Sequence, residues 1–397
     1  MSVAPAPSRP AERWAIYAGT AACYADMYLT QAILPELSRE FGVGPARAGL
    51  TVSAVVLAIA LSSILYGPLS DALGRRAVMA ASLALLAGAT ALCALPRSFG
   101  ALVALRGLQG LLVPGMTAVS VAYAGDRFAR RDLAAAVGGI IAASVVGGLA
   151  GRVGSGLVAA RFGWRASFLL FALLTAGAAA VAARGLVPVP RTRGEGIRGA
   201  TRGLAGHLRD PALVGAYLAG FSLFFGWIGI FTYLPYLLTG APHRLSTALV
   251  SSTYLVYAAG VPMSAVSGRL SGRVPPRRLV GIGLVVAAAG MALTLARPLP
   301  LVVLGLVVLV LGQFTAQAVL PAIVNTTARE AKGSASGLYL SAYYLGGTLG
   351  SVLPGYAWEW RGWSAVAAAC IAAVAVAFAA NASLGGTPAG SRGPAAA

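Results

Sequence analysis

Long apolar segments separated by short polar ones dominate this chain of 397 residues. A helix needs about 20 predominantly apolar residues to cross a membrane. Twelve segments meet this requirement, and the predicted spans, numbered 1 to 12, cover roughly 14 to 33, 46 to 66, 77 to 95, 101 to 123, 133 to 158, 166 to 187, 213 to 238, 247 to 267, 279 to 296, 299 to 324, 334 to 355 and 364 to 383. The pattern therefore predicts an all-α, polytopic membrane protein.

The composition agrees with this fold class. Of all residues 58% are apolar and 10% are charged, which excludes a single water-soluble core of this size. The first apolar run is long enough to span and lacks a cleavage site, so we expect it to stay in the mature protein. Cys23, Cys93 and Cys370 lie in apolar segments and are expected to be packing residues. His207 and His243 are isolated, so neither a metal site nor a cofactor is predicted.

The formal net charge of +19 indicates membrane topology rather than nucleic-acid binding, because the Lys and Arg residues are spread over short loops. If the N-terminus is cytoplasmic, 20 of them fall on the cytoplasmic side and 8 on the opposite side. Cytoplasmic loops carry an excess of Lys and Arg, so the asymmetry predicts that both termini are cytoplasmic. We expect a lipid-embedded, multi-pass monomer in the bacterial inner membrane.

The chain contains an internal repeat. Sliding the sequence by 199 residues pairs identical residues in seven places: Gly138 with Gly337, Gly147 with Gly346, Gly148 with Gly347, Gly151 with Gly350, Gly156 with Gly355, Gly163 with Gly362 and Trp164 with Trp363. The repeat predicts two parallel six-span halves, 1–187 and 212–397, joined by a cytoplasmic linker at 188–211. Such halves are typical of transporters that rock about a site near the membrane midplane.

Asp26 is the one carboxylic acid near the middle of an apolar segment. An ionised Asp at the centre of a spanning helix costs about 2.5 to 3.5 kcal/mol, so such residues tend to be functional. At about 1.5 Å per residue, Arg106 on span 4 lies at a similar depth. Arg106 favours the ionised carboxylate and burial favours the neutral acid. Two interpretations stay open: Asp26 carries a coupled proton, or it only neutralises Arg106, and Arg152 could compete for the same carboxylate.

Several motifs resemble those of one transporter family. The segment Gly67-Pro-Leu-Ser-Asp-Ala-Leu-Gly-Arg-Arg76 resembles the major facilitator superfamily signature G-x-L-a-D-x-x-G-R-R/K, and Leu105-Arg-Gly-Leu-Gln-Gly110 resembles its R-x-x-Q-G motif. The segment Gly147–Gly156 is similar to the span-5 motif of proton-coupled exporters, with Arg152 where proline is usual and Ser155 where glycine is usual. The resemblance implies a twelve-span secondary active transporter that works by alternating access.

Further segments narrow the resemblance within this family. Asp26–Pro35 fits the exporters' span-1 motif, and its first four residues also resemble the Bcr/CflA drug-resistance branch. Phe162-Gly-Trp-Arg165 and Ala331–Gly346 are similar to the YnfM-like, arabinose-efflux-like branch of exporters. In this fold we expect the glycines of spans 5 and 11 to pack helices closely at the interface between the halves, together with Arg152. These glycines are Gly147, Gly151, Gly156, Gly346 and Gly350.

The resemblance also implies a cytoplasmic gate. Its residues are Gly67, Asp71, Gly74, Arg75, Arg76 and Asp126. We expect Arg75 to reach Asp126, and Asp71 to lie against the second half near the start of span 11 when the transporter faces outward. The counterpart of Asp71 in the second half is Gly272, so the gate is predicted to be asymmetric.

A substrate cavity is predicted between spans 1, 4, 7 and 10. The candidate lining residues are Gln109, Phe224, Trp227, Gln313 and Gln317. Aromatic walls with a few amides select ligands by shape and stacking. The amides are equally suited to bonds between helices, and about half of the span-7 aromatics are expected to face lipid.

The functional hypothesis is a proton-coupled exporter of small amphipathic or sugar-like molecules. The alternative is a proton-independent facilitator or importer of a small solute. The sequence has no Ser-His pair, metal-ligand cluster, phosphate-binding loop or second buried acid, which argues against an enzyme. It also has no soluble signalling domain, which argues against a sensor.

Overall fold

The computed structural model describes residues 9–189, 204–328 and 330–383, which form α-helices joined by short turns. Residues 190–203 of the predicted linker and the tail after 383 lie outside the described residues. So do six of the arginines assigned to the cytoplasmic side, namely Arg191, Arg193, Arg198, Arg202, Arg329 and Arg392.

The first half contains six helical spans, several of them interrupted. Span 1 continues past its first helix through a 3-10 turn, and spans 2 and 4 are each built from two helices. The helices are Pro10–Tyr28, Gln31–Ile33 and Leu34–Phe41 in span 1, Pro45–Ala48 and Leu50–Leu73 in span 2, Arg75–Leu92 in span 3, Phe99–Leu112 and Pro114–Arg127 in span 4, Arg130–Phe162 in span 5, and Trp164–Gly185 in span 6.

The second half repeats this arrangement after a short helix at Leu204–Arg209. Its helices are Pro211–Thr239 in span 7, Thr247–Ser252, Thr253–Ala259 and Gly260–Leu270 in span 8, Pro276–Leu293 in span 9, Leu299–Thr327 in span 10, Lys332–Gly350 in span 11, and Leu353–Ser383, which contributes to spans 11 and 12. Within the described residues, ten helices are long and apolar enough to cross a membrane, and these belong to all spans except 1 and 11. The helix Pro10–Tyr28 of span 1 is more polar because it carries three charged residues, Glu12, Arg13 and Asp26.

The turn before the last span of each half confirms the repeat in three dimensions. Gly163 ends span 5 with a φ of 80°, and Gly362 interrupts the helix Leu353–Ser383 with a φ of 65°. These positive φ angles suit glycine because it has no Cβ. The tryptophans that follow, Trp164 and Trp363, begin spans 6 and 12 at the same position in each half.

The outer surface is apolar, as expected for a protein surrounded by lipid. Large aliphatic side chains such as Leu61, Val146 and Leu173 are 62 to 71% exposed. A water-soluble protein would bury most of these side chains. In lipid, every backbone polar group must be satisfied within the protein, which is why the spans are helical.

Glycines of spans 5 and 11 bring helices together inside each half. A Cβ at Gly147 or Gly151 would collide with the backbone carbonyls of Ala21 or Ala25 on span 1. In the second half, Gly346 and Gly350 make the same contacts with the carbonyls of Phe221 and Phe225 on span 7. The prediction that these four glycines pack at the interface between the halves is therefore wrong. Their close approach is to the first helix of their own half, because that helix is the direct neighbour of span 5 or span 11.

Gly156 and its repeat counterpart Gly355 do contact the opposite half. Gly156 faces Ser251 on span 8, and Gly355 faces Ala46 on span 2. The halves meet at the end of the bundle that contains the turns at 42–44 and 240–246, which we call the closed end. Hydrogen bonds join the halves there from Gln31 to Thr232 at 3.0 Å, Ser38 to Tyr236 at 2.6 Å, Thr247 to Glu36 at 2.7 Å, and the Ala46 N–H to Glu359 at 3.2 Å.

The other end of the bundle, which carries Gly67–Arg76, is called the motif end. The start of span 1 lies at this end, since Arg127 at the end of span 4 binds Glu12 at 3.0 Å. Near it, Arg13 pairs with Asp132 at 3.4 Å. The N-terminal part of the chain and the motif therefore lie on the same side of the membrane.

Candidate functional site

Asp26 lies in the interior of the first half and is completely buried. Its Oδ2 atom accepts hydrogen bonds from the hydroxyls of Thr90 on span 3, at 3.0 Å, and Thr175 on span 6, at 2.9 Å. Within the part of the chain that the structure describes, its Oδ1 atom has no hydrogen-bond partner. The carboxyl group is thus held by neutral donors within one half rather than at the boundary between the halves.

Arg106 binds backbone carbonyls where the first helix of span 1 ends. Its guanidinium donates to the carbonyls of Asp26 and Met27, both at 2.8 Å, and its Nε–H donates to the carbonyl of Thr51 at 3.0 Å. The last carbonyls of a helix have no intrahelical partner, and a cation at this end also favours the helix dipole. Arg106 therefore stabilises the interruption of span 1 after Tyr28.

A chain of hydrogen bonds connects Arg106 to the Asp26 carboxylate without direct contact. The Arg106 Nη1 donates to Gln109 Oε1 at 2.6 Å, and Gln109 Nε2 donates to Thr90 Oγ1 at 2.6 Å. The Thr90 hydroxyl in turn donates to Asp26. We call these four residues together with Thr175 the first-half polar network.

The structure agrees with part of the sequence prediction for this region. Asp26 and Arg106 do lie together, as their matching depths indicated. The expected contact between their charged groups is absent in this conformation, since Arg106 uses its donors on the backbone. Thr90 and Thr175 were missed, because a single threonine in an apolar span usually bonds to its own helix and gives no distinctive signal.

Gln109 was predicted to line the substrate cavity, but it lies inside the first half. It is almost completely buried and its amide is occupied by Arg106 and Thr90. The prediction of Gln109 as a cavity residue is therefore wrong for this conformation. The interior face of span 4 turns towards spans 1, 2 and 3, since Gly110 packs against Val55.

Phe224 and Trp227 lie in an aromatic cluster of the second half. Phe224 stacks on Tyr343 of span 11 with ring centroids 3.9 Å apart. Trp227 packs against Tyr257 of span 8 at 4.7 Å and Phe314 of span 10 at 5.9 Å. The aromatic face of span 7 thus points into the protein.

The amides of span 10 remain candidates for ligand contact. Gln313 donates from its Nε2 to the Gln317 Oε1 at 3.4 Å, along one helical turn. Gln313 is completely buried and its Oε1 has no partner, whereas Gln317 is half-buried. A buried amide oxygen without a donor is a suitable acceptor for a ligand hydroxyl or N–H.

Arg152 lies where the two halves meet rather than near the Asp26 carboxylate. Its Nε donates to Gln31 at 2.7 Å, and its guanidinium packs 3.7 Å from the Tyr28 ring and 4.6 Å from the Tyr257 ring. Tyr28 belongs to span 1 and Tyr257 to span 8. The prediction of Arg152 as an interface residue agrees with this position, and its competition for Asp26 is not seen.

The charged residues of the motif end interact within the first half. Arg75 contacts Asp126 and lies 3.4 Å from Asp71, and Arg76 donates to the Ala183 carbonyl at 2.7 Å. Gly74 forms the turn between spans 2 and 3, and Gly67 has open space around its Cα. The expected contact between Arg75 and Asp126 is present. Asp71 contacts Arg75 here, and its contact with span 11 was expected for the outward-facing state.

Known proteins share both the sequence pattern and the fold. The Major Facilitator Superfamily model matches residues 16–273 and 239–396. The Escherichia coli inner membrane transport protein YnfM is 30% identical over 356 residues, covering 89% of this chain and 85% of that protein. The uncharacterized MFS-type transporter YybF of Bacillus subtilis is 29% identical over 360 residues, covering 89% and 88%.

Solved structures show the same architecture. A bacterial homolog of the human lysosomal transporter Spinster, in an inward-facing and occupied conformation, superposes with a TM-score of 0.76 at 16% identity, covering 94% of this chain and 95% of that one. The nucleoside transporter NupG gives a TM-score of 0.75 at 15% identity, covering 94% and 98%. These matches confirm the twelve-span, two-half fold. The apolar helices and the bacterial relatives described above support a multi-pass protein of the inner membrane. The chain belongs to the major facilitator superfamily and is a membrane transporter, not an enzyme.

Proposed function

We propose that this transporter couples proton entry to the export of small amphipathic or sugar-like molecules by alternating access. The observation that carries the proposal is Asp26, a fully buried acid whose Oδ1 is unpartnered and whose Oδ2 is held by neutral hydroxyls. Such a carboxyl group can gain or lose a proton without breaking an ion pair. The aromatic cluster around Trp227 and the free amide oxygen of Gln313 supply the substrate wall.

The conformation supports an alternating-access cycle. Hydrogen bonds join the halves at the closed end, while the charged side chains of the motif end bind within the first half. With both termini in the cytoplasm, the halves would be separated on the cytoplasmic side, where substrate loads for export. Rocking of one half against the other would then bring Asp71 towards span 11 and close the motif end.

The alternative is a proton-independent facilitator or importer in which Asp26 neutralises Arg106. In this conformation Arg106 binds the backbone carbonyls of Asp26 and Met27 and reaches the carboxylate only through Gln109 and Thr90. The guanidinium therefore has a structural use at the helix end that does not require an ionised carboxylate. This geometry favours the proton-carrying role over the counter-ion role.

The test is transport by purified protein in liposomes, with and without an imposed pH gradient, against a panel of drugs, sugars and amino-acid derivatives. A pH dye inside the liposomes reports proton movement at the same time. We expect wild-type protein to accumulate its substrate against the gradient. Asp26→Asn should abolish pH-driven accumulation while retaining exchange of substrate, because it holds the side chain in a neutral form. Asp26→Glu should retain some coupling.

The matched control is Glu40→Gln, which removes a carboxylate that is 43% exposed and pairs with Arg165 at the surface. It should transport like wild type. If Asp26→Asn still drives uphill export with unchanged proton movement, Asp26 does not carry the proton and the counter-ion role is correct.

A further inference from the structure

Arg152 is a buried cation without a carboxylate partner among the described residues. It is 2% exposed, and its guanidinium donates from Nε to Gln31 and from Nη1 to the carbonyl of Gly148 at 2.8 Å. Its Nη2 has no hydrogen-bond partner. An Arg side chain stays charged in a protein, so the full positive charge lies in the membrane interior with three of its five N–H groups free, two of them on Nη2.

Aromatic rings surround this charge and compensate for it only in part. The Tyr28, Tyr257 and Tyr254 rings lie 3.7, 4.6 and 5.8 Å from the guanidinium carbon. Cation–π attraction is worth about 2 kcal/mol in a desolvated site, well below the cost of burying an unpaired charge. Asp26 does not supply the missing charge, since its carboxyl group binds Thr90 and Thr175.

The residues around Arg152 provide a further group that a ligand could contact. The Tyr257 hydroxyl is buried and unpartnered, although its ring packs against Arg152 and Trp227. An anion at Arg152 would therefore have the Tyr257 hydroxyl as a donor and aromatic faces within the same cluster.

We propose that Arg152 and the tyrosines around it bind the carboxylate of an amphipathic monoanion carried by this transporter. The inference rests on the proposed function and specifies its substrate class. A carboxylate matches the single positive charge, whereas a doubly charged phosphate would leave one negative charge buried and uncompensated. The aromatic rings suit an aromatic or aliphatic body behind the carboxylate.

The position of the site links binding to the closure of the halves. Tyr28, Gln31 and Arg152 belong to the first half, and Tyr254 and Tyr257 belong to the second. Gln31 also donates to Thr232 of span 7 at 3.0 Å, so the residue that orients Arg152 joins the halves itself. The residues of both halves form the complete site only while the halves are in contact at the closed end. Opening that end would separate Tyr254 and Tyr257 from Arg152 and weaken anion binding, which is the behaviour required for release.

The experiment measures equilibrium binding to purified protein in lipid nanodiscs at one pH, by calorimetry, without a gradient. The probes are 3-phenylpropionate, indole-3-acetate and octanoate, each paired with its primary amide. We expect at least one acid to bind more tightly than its amide. Arg152→Gln should lower the affinity for that acid by about 10- to 100-fold, to the affinity measured for its amide. The affinity for the amide itself should not change. Arg152→Lys should lose less affinity for the acid because lysine keeps the positive charge.

Arg165→Gln is the matched control, because this arginine is 42% exposed and should leave the preference for acids intact. If Arg152→Gln does not fold, Arg152→Lys and Tyr257→Leu replace it, and both must reduce the ratio of acid to amide affinity. An unchanged ratio overturns the proposal. It is also overturned if no acid binds more tightly than its amide, or if Arg152→Gln weakens acid and amide equally. Because no gradient is used, the outcome is independent of whether Asp26 carries a proton.

Discussion

The two halves share one packing scheme but differ in what they enclose. Asp26 of span 1 corresponds to Gly226 of span 7, since the glycines that approach Ala25 in one half approach Phe225 in the other. Thr175 corresponds to Val374 at the offset of 199 residues, and a Cβ at Gly226 would meet Val374. Where the first half has a carboxyl group and a hydroxyl in contact, the second half has a glycine against a valine.

The same contrast extends to span 4. At an offset of 200 residues, Arg106 and Gln109 of span 4 correspond to Leu306 and Leu309 of span 10, which are completely buried and apolar. The second half therefore folds in the same way with apolar residues at the positions of Arg106 and Gln109. The first-half polar network is not a requirement of the fold, which is why we assign it to function.

The largest effect is expected when Arg106 is replaced by the residue of the second half. Arg106→Leu removes four hydrogen bonds. It leaves the carbonyls of Asp26 and Met27 at the end of a helix without a donor, and Gln109 Oε1 with only the weak donor of the Cys93 thiol at 3.5 Å. Each unsatisfied buried group costs about 1 to 3 kcal/mol, so the free energy of unfolding should fall by roughly 3 kcal/mol or more. Denaturation of the purified protein measures this loss. Arg165→Leu, at an exposed arginine, is the control and should change the free energy of unfolding little. If the two variants are equally stable, Arg106 is dispensable for stability.

A smaller and symmetric effect is expected from the packing glycines. Gly151→Ala and Gly350→Ala place a methyl group against the carbonyls of Ala25 and Phe225. Overpacking of this kind typically costs about 1 to 3 kcal/mol. Thermal unfolding should show similar losses of stability for the two variants, because the packing scheme is common to both halves.

The controls for these variants come from the same helices. Gly138 and Gly337 correspond at the offset of 199 residues and have open space where a Cβ would lie. Alanine at either position should be neutral or stabilising by up to about 1 kcal/mol, since glycine is a poor helix former. If only one of Gly151→Ala and Gly350→Ala lowers the stability, the two halves are packed differently.

Thr175→Val tests a single hydrogen bond of the first-half polar network. It introduces the residue found at the corresponding position of the second half, Val374. It removes one of two hydroxyls that bind the Asp26 carboxyl group, at a cost of about 1 kcal/mol. We expect pH-driven transport in liposomes to fall, with substrate binding unchanged. Thr175→Ser keeps the hydroxyl and should behave like wild type. If Thr175→Val transports normally, the hydroxyl only fills space.

The smallest effect on stability is expected at Asp71, whose counterpart is Gly272. Asp71 lies 3.4 Å from Arg75 and its side chain is 24% exposed, so the pair contributes less than about 1 kcal/mol. Asp71→Asn should nevertheless lower the rate of transport, because closure of the motif end requires this acid. Equilibrium binding of the transported molecule should be retained. A variant that loses binding and keeps its transport cycle would contradict the gating role.

The sequence predicted the spans and the repeat because both depend on local composition. An apolar segment of sufficient length must form a helix in lipid, and identical residues at one offset require equivalent positions in each half. The matching depths of Asp26 and Arg106 followed from counting residues along helices. The turn at Gly74 and the contact between Arg75 and Asp126 followed from a motif whose charges are close in sequence or lie at adjacent helix ends.

The direction in which each side chain points could not be derived in this way. Depth along a span does not fix rotation about the helix axis, so Gln109 was assigned to the cavity although it faces the interior of the first half. The packing partners of Gly147 and Gly346 were misplaced for the same reason.

By itself the sequence determined that this protein is a twelve-span, two-half membrane transporter with one acid near the middle of span 1. Only the tertiary structure decided that Thr90 and Thr175 hold this acid and that Arg106 binds the end of a helix. It also decided that Arg152 lies among tyrosines of both halves. The reason is physical: hydropathy follows from each residue's own side chain, whereas a hydrogen-bond partner depends on how separate helices are rotated and packed against one another.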